Sequence, residues 1–211
     1  MRKLDRTVAP APACLGGYHH GTNNWDDVGP DHKREIRECL EQMQGRRCAY
    51  CEGALDVLGQ HIEHFRRKHH HPHLTFSWGN LYWSCDQRDS CGHYKDHGAG
   101  KYTPADLLEP GVDDPDLYFR FRSDGAVQVR PGLTAQQDHR ARETLRVFNL
   151  HPDFGRLRNM RKGAAATYLG LLNELVALTE ADRRDYVRLE IQASAGEPFC
   201  TLIRHLFEDH L

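Results

Sequence analysis

A chain of 211 residues with 28 lysines and arginines against 30 aspartates and glutamates carries a formal charge of −2. That length suits one large domain or two small ones, and the near-neutral balance excludes a protein that coats nucleic acid through bulk charge. A mean hydropathy of −0.72, with no apolar run near the roughly 18–20 residues of a membrane span, excludes a membrane-spanning helix and predicts no membrane partner.

Residues 1–30 are rich in Gly, Pro and Asn, lack periodicity and read as an extended arm. The opening MRKLDRTVAPAPACLGGYHH has basic residues but no apolar core behind them, so no signal peptide is expected. The expected location is cytoplasmic, where thiols stay reduced and paired cysteines point to metal rather than disulfide. Residues 31–45 read as a helix: Asp31 is its candidate N-cap, Ile36, Leu40 and Met43 share a stripe, and Gly45 stops it.

Residues 46–102 concentrate the chemistry. Eight of the fifteen histidines fall between positions 60 and 97. Cys48-x-x-Cys51 and Cys85-x5-Cys91 are the obvious thiol pairs; tetrahedral zinc prefers four such ligands, so a structural Zn²⁺ is expected there. Cys14, Cys39 and Cys200 stand apart and read as packing residues. Within the pinned loop, GQHIEHF alternates apolar and polar residues as a short strand does. Trp78 and Trp83 read as core, and the tract KHHHPH at 68–73 as a solvated loop.

Residues 103–211 differ in character. LYFRF-RSDG-AVQVR, from Leu117 to Arg130, reads as a β-hairpin turning at Asp124-Gly125. Helical patterns follow near 134–149, 154–178, 180–193 and 198–209. Thr134-x-x-Gln137 and Thr179-x-x-Asp182 resemble helix caps, the first in the strict Glu/Gln form. The basic runs FRRK at Phe65 to Lys68 and GRLRNMRK at Gly155 to Lys162 permit local nucleic-acid contact or plain solvated faces.

Glu63-His64, Asn80 and His93 occur in order inside and just after the thiol frame. In that order they resemble the HNH, or ββα-metal, nucleases with a zinc knuckle. The resemblance is closer to one branch, the HNH partner of Septu (PtuB-type) and retron-associated antiphage systems. It rests on MRKLDR with the later Trp25-Asp26, and on CAYCE, IEHFRRK, LTFSWGNLYWSC and SCGHYKDH. DPDLYFRFRSDG and RARETLRVFNL extend it through the C-terminal half.

The resemblance implies an α+β fold: an N-terminal arm and helix (1–45), a zinc-framed ββα-metal core (46–102), and a mostly helical region with a hairpin that binds a partner (103–211). It implies a DNA-cleaving effector beside a PtuA-like ATPase. His64 would be the general base, Asn80 would orient it, and Glu63 and His93 would hold a catalytic Mg²⁺ or Mn²⁺. In many members the second ligand directly follows the last cysteine. Gly92 holds that place here, so His93, Asp96 and His97 all stay open for the role. Lys95 is a candidate phosphate contact. The competing reading is a catalytically inactive, zinc-stabilised nucleic-acid-binding or adaptor module, which leaves Glu63-His64 unused.

Overall fold

The computed structural model describes residues 1–208 and 210. The first long helix, α1 (Pro30–Gln44), starts one residue earlier than the sequence suggests, because Pro30 sits at its first position and Gly29 is the cap. Proline loses nothing there, since that N–H has no partner within a helix. Ile36, Leu40 and Met43 are buried along one stripe, and Gly45 ends the helix in the left-handed conformation at φ 64°. The last helical residue has a second task. The buried Gln44 amide donates to the carbonyls of Arg47 and Trp83, both at 2.9 Å, and accepts from the Trp83 N–H at 2.9 Å. One side chain thus ties α1 to the strand that carries Trp83.

A short helix, α2 (Leu55–Leu58), leads into the antiparallel pair β1 (His61–His64) and β2 (Leu81–Ser84), with His61 opposite Ser84 and His64 opposite Leu81. Helix α3 (Cys91–His97) follows. A second antiparallel pair, β3 (Phe119–Phe121) and β4 (Val127–Val129), turns through Gly125 at φ 81°. No other residue fits that turn without strain: a Cβ on Gly125 would lie 2.2 Å from the Arg158 carbonyl oxygen. Four α-helices follow among the described residues, α4 (Ala135–Val147), α5 (Arg156–Glu174), α6 (Glu180–Ala193) and α7 (Cys200–Glu208). Thr134 and Gln137 cap α4 reciprocally, and the Thr179 hydroxyl caps α6. The fold is α+β, with two small antiparallel sheets. Among the described residues no helix is long and apolar enough to cross a membrane.

Residues 1–30 depart from the expected extended arm. They form three 3-10 turns and fold back on the chain, with Met1, Leu4, Ala9, Leu15 and Val28 buried. Arg6 rivets this segment to the β1–β2 loop. Its guanidinium donates to the carbonyls of Trp78 at 2.9 Å, Gly79 at 3.1 Å and Leu81 at 3.0 Å, and lies 4.5 Å from the Tyr82 ring centre. The apolar residues are too widely spaced for periodicity to reveal them, yet each fills a separate part of the core. Buried side chains from all three stretches form one cluster.

The C-terminal region is locked by His205 on α7. Its Nδ1 accepts from the Phe121 N–H at 3.0 Å, which leaves the proton on Nε2, 2.5 Å from Asp116 Oδ1. Burial opposes the charge on Asp116, but His205 and Arg204 outweigh it and hold the carboxyl below the usual range. A depressed carboxyl stabilises the fold above its unfolded value, near 4, and loses that contribution as pH falls through the folded one. Asp116→Asn is therefore expected to cost about 1 kcal/mol at neutral pH, after allowance for solvent screening. The gap to wild type should narrow below about pH 4. Urea melts of both proteins across this range measure it; a gap that does not vary with pH removes the ion-pair account.

Candidate active site and metal centres

Four thiols meet in the interior. The ligand atoms of Cys48, Cys51, Cys85 and Cys91 all lie within 4.8 Å of one another, every one buried and none in a disulfide. The backbone builds the site from both ends. After α1 the chain makes a tight knuckle in which Glu52 N–H donates to the Cys48 carbonyl at 3.1 Å and Gly53 N–H to Cys51 Sγ at 3.4 Å. Ala49 N–H donates to Trp83 O at 2.9 Å, seating the knuckle on β2, and Cys85 is the residue that follows this strand. Cys91 opens α3 at φ 60°, with its N–H donating to Phe148 O at 2.8 Å. For a residue with a Cβ this conformation costs roughly 1 kcal/mol.

A buried cation supports a metal at this centre. Arg161 on α5 is 1% exposed, and its Nη1 donates to Leu150 O at 2.6 Å, while Nε and Nη2 have no hydrogen-bond partner among the described residues. Burial pushes its pKa down to about 10, against the opposing charges of Cys51, Glu52 and Cys91. An uncompensated buried guanidinium is costly. Four thiolates around one dication keep a net negative charge beside it, and soft sulfur donors in this number fit zinc.

The second centre lies on the outer face of the hairpin. Strand alternation puts His61 and Glu63 on one side of β1. His61 Nε2 is 3.1 Å from Glu63 Oε2, and His61 Nδ1 is 3.6 Å from Asp86 Oδ1. His93 on α3 brings Nε2 to 2.5 Å from the same Asp86 oxygen, with the two imidazole centres 4.3 Å apart. His61, Asp86 and His93 thus offer three ligand atoms within 4.8 Å of one another. His61 and Asp86 were missed in the sequence. The alternation of HIEH and the position of Asp86 next to Cys85 were the signals available.

Glu63 is committed inward. Its Oε1 pairs with Lys95 Nζ at 2.7 Å, with the two side chains 3% and 0% exposed. Burial opposes its charge, but Lys95 and His61 hold the carboxyl well below the ordinary range. Lys95 also donates to the His64 carbonyl at 3.1 Å and to Asp96 at 2.5 Å, so it is an internal strut rather than a phosphate contact. Gly92 is where this packing is tightest: a Cβ there would stand 2.5 Å from Glu63 Oε2 and 3.0 Å from His61 Nε2. A side chain at that position would have to displace the Glu63 carboxylate, whereas His93, one residue on, lines the cleft.

His64 points to the other side of β1. Its Nε2 is 2.9 Å from the Thr75 carbonyl oxygen, which only accepts, so this nitrogen carries the proton and Nδ1 is the free base. Trp25 closes edge-on against the ring at 4.5 Å. Burial pushes His64 down to about 4, so the ring is neutral at pH 7. Asn80 sets the loop beyond it. Its Oδ1 accepts from Arg66 N–H at 2.7 Å, and its Nδ2 donates to the carbonyls of Arg66 at 3.0 Å and Leu74 at 3.2 Å. A cleft of about 400 Å³ is lined by His61, Glu63, His64, His93, Asp96 and His97, among others. Glu63, His64, His93, Asp96 and His97 therefore gather at one opening, while Asn80 and Lys95 do not line it.

No protein-family profile matches the chain. It is 25% identical over 126 residues to a retron Vc95 protein of Vibrio cholerae serotype O1 biovar El Tor, named a proposed HNH endonuclease; the match covers 56% of this chain and 58% of that one. It is 32% identical over 91 residues to the Septu protein PtuB of Bacillus thuringiensis, across 42% of this chain and 34% of that protein. The chain resembles antiphage HNH proteins. It matches only about a third to just over half the length of these two relatives.

Replacement of Cys48 or Cys51 by Ser is expected to abolish bound zinc and to leave insoluble or unfolded protein, because in small zinc modules metal binding and folding are one process. Elemental analysis and circular dichroism read the two effects; well-folded wild-type protein without zinc contradicts the expectation.

Proposed function

We propose that the chain is a metal-dependent HNH endonuclease that hydrolyses DNA phosphodiester bonds, with residues 61–97 as its ββα-metal core. The observation that carries this reading is the shared opening of a neutral, buried imidazole, His64, and the three-ligand group His61, Asp86 and His93. In this proposal His93 keeps the role expected of it, and His61 replaces Glu63 as the direct ligand on β1. Glu63 stands behind His61 and fixes its ring, the carboxylate–imidazole arrangement common at metal sites.

Imidazole and carboxylate donors suit a divalent ion of the Mg²⁺, Mn²⁺ or Zn²⁺ kind. When bound, such an ion supplies charge stabilisation to the phosphate and to the departing 3′ oxygen. The chain supplies the rest. Thr75 O holds the His64 proton on Nε2, so Nδ1 faces its task unprotonated and takes a proton from the attacking water. The anionic phosphate in the cleft favours the imidazolium that results, which lifts a base otherwise weakened by burial. Asn80 and Lys95 act through the backbone: the first clasps the ends of the 66–74 loop, and the second holds the His64 carbonyl.

We also propose that residues 103–211 dock onto a PtuA-like ATPase, making the chain the effector subunit of a cytoplasmic antiphage complex. The exposed Leu169, Val176, Leu178 and Leu189 on and between α5 and α6 support a partner there.

His64→Ala is expected to reduce plasmid nicking by roughly 10²–10⁴-fold, the usual cost of losing a general base, with zinc content and fold unchanged. His61→Ala and His93→Ala should raise the Mn²⁺ concentration needed for activity. Nicking by His64→Ala at the wild-type rate, in the assembly where wild type is active, would falsify the mechanism.

A further inference from the structure

The histidine tract at 68–73 does not stand apart from the site. Arg67, Lys68, His69 and His70 form one rim of the cleft that holds His61 and His64. Two of them, Arg67 and His70, are also walls of a neighbouring cavity of about 350 Å³. Its remaining walls are His71, Gly100, Lys101, Tyr102 and Pro104. The lining holds two fixed cations, two imidazoles and an aromatic ring, and no carboxylate. Arg67 lies over the Tyr102 ring at 4.7 Å and is held from behind by Asp96 at 3.0 Å and by the Lys95 carbonyl. Lys101 is exposed and has no ion pair among the described residues.

Such a lining matches one repeat of a nucleic-acid strand. Exposed ammonium and imidazole groups suit the phosphate, while a tyrosine ring beside a proline suits a base or sugar. The shared walls make this cavity the next stop for a strand whose scissile phosphate lies at His61 and His93. We propose that the cavity is a strand-binding subsite of the nuclease: Lys101, His70 and His71 hold the DNA phosphate next to the scissile one, and Tyr102 and Pro104 hold its nucleoside. This rests on the nuclease reading and extends it to how substrate is gripped. A free nucleoside monophosphate has the same chemistry and forms the second arm of the test.

The full chain is titrated with a fluorescein-labelled single-stranded DNA oligonucleotide, without added divalent cation, over a series of salt concentrations. Loss of one phosphate contact should weaken binding roughly five- to tenfold near 0.1 M salt and flatten the logarithmic salt dependence by about 0.7. Lys101→Ala should show both effects and Lys101→Arg neither, while Arg188→Ala, on the exposed face of α6, serves as the distant control. Wild-type affinity and slope in Lys101→Ala overturn the subsite. So does wild-type protein that binds the monophosphate as tightly as the oligonucleotide, or that has no affinity for DNA. Cleavage lost in His64→Ala alongside unaltered binding in Lys101→Ala removes the subsite and leaves the nuclease standing.

Discussion

The four-thiol centre is the constraint on which everything else is hung. It joins three pieces of chain: the knuckle after α1, the end of β2 and the start of α3. Hairpin β1–β2 is only four residues long on each side, and an isolated pair of this size is marginal in water. With Cys85 and Cys91 gathered to one point, α3 must lie across the hairpin, and His93 must face His61. The left-handed backbone at Cys91 and the half-satisfied Arg161 are local costs that this centre offsets.

Around the cleft the polar groups are internal struts more than solvent-facing tools. A buried ion pair such as Glu63–Lys95 contributes little net stability compared with apolar residues of the same size. What it provides is position. Lys95 reaches Glu63, Asp96 and the His64 carbonyl at once, so a single ammonium ties the end of β1 to α3. Trp25, from a segment distant in sequence, completes the wall beside His64. The inner side of the cleft is thus braced, and the histidine-rich tract forms one of its rims.

Local signals carried well into the structure. The stripe in α1, the Asp124-Gly125 turn, the reciprocal cap on α4 and the paired cysteines each depend on neighbours within a few residues, which is what a sequence displays. Features set by distant contacts were hidden. The fold-back of residues 1–30 depends on Arg6 meeting the carbonyls of a loop over seventy residues away. His61 joins Asp86 only because β1 pairs with β2 in a register that brings position 61 opposite Ser84. Lys95 looks like a surface cation until the Glu63 carboxylate is placed beneath it.

Helix α7 and the turn before it bear on when the thiol knuckle becomes rigid. Arg47, next to the first thiol, donates to the carbonyls of Ala195 at 2.7 Å and Glu197 at 3.0 Å. Glu52, next to the second thiol, accepts from Phe199 N–H on its carbonyl and from Thr201 N–H on its carboxylate, each at 3.1 Å. The knuckle made early in synthesis is therefore sealed by residues made about 150 positions later. Contacts of such long range close late. A nascent chain on the ribosome carries the histidines of the cleft well before it carries the brace that holds their frame rigid.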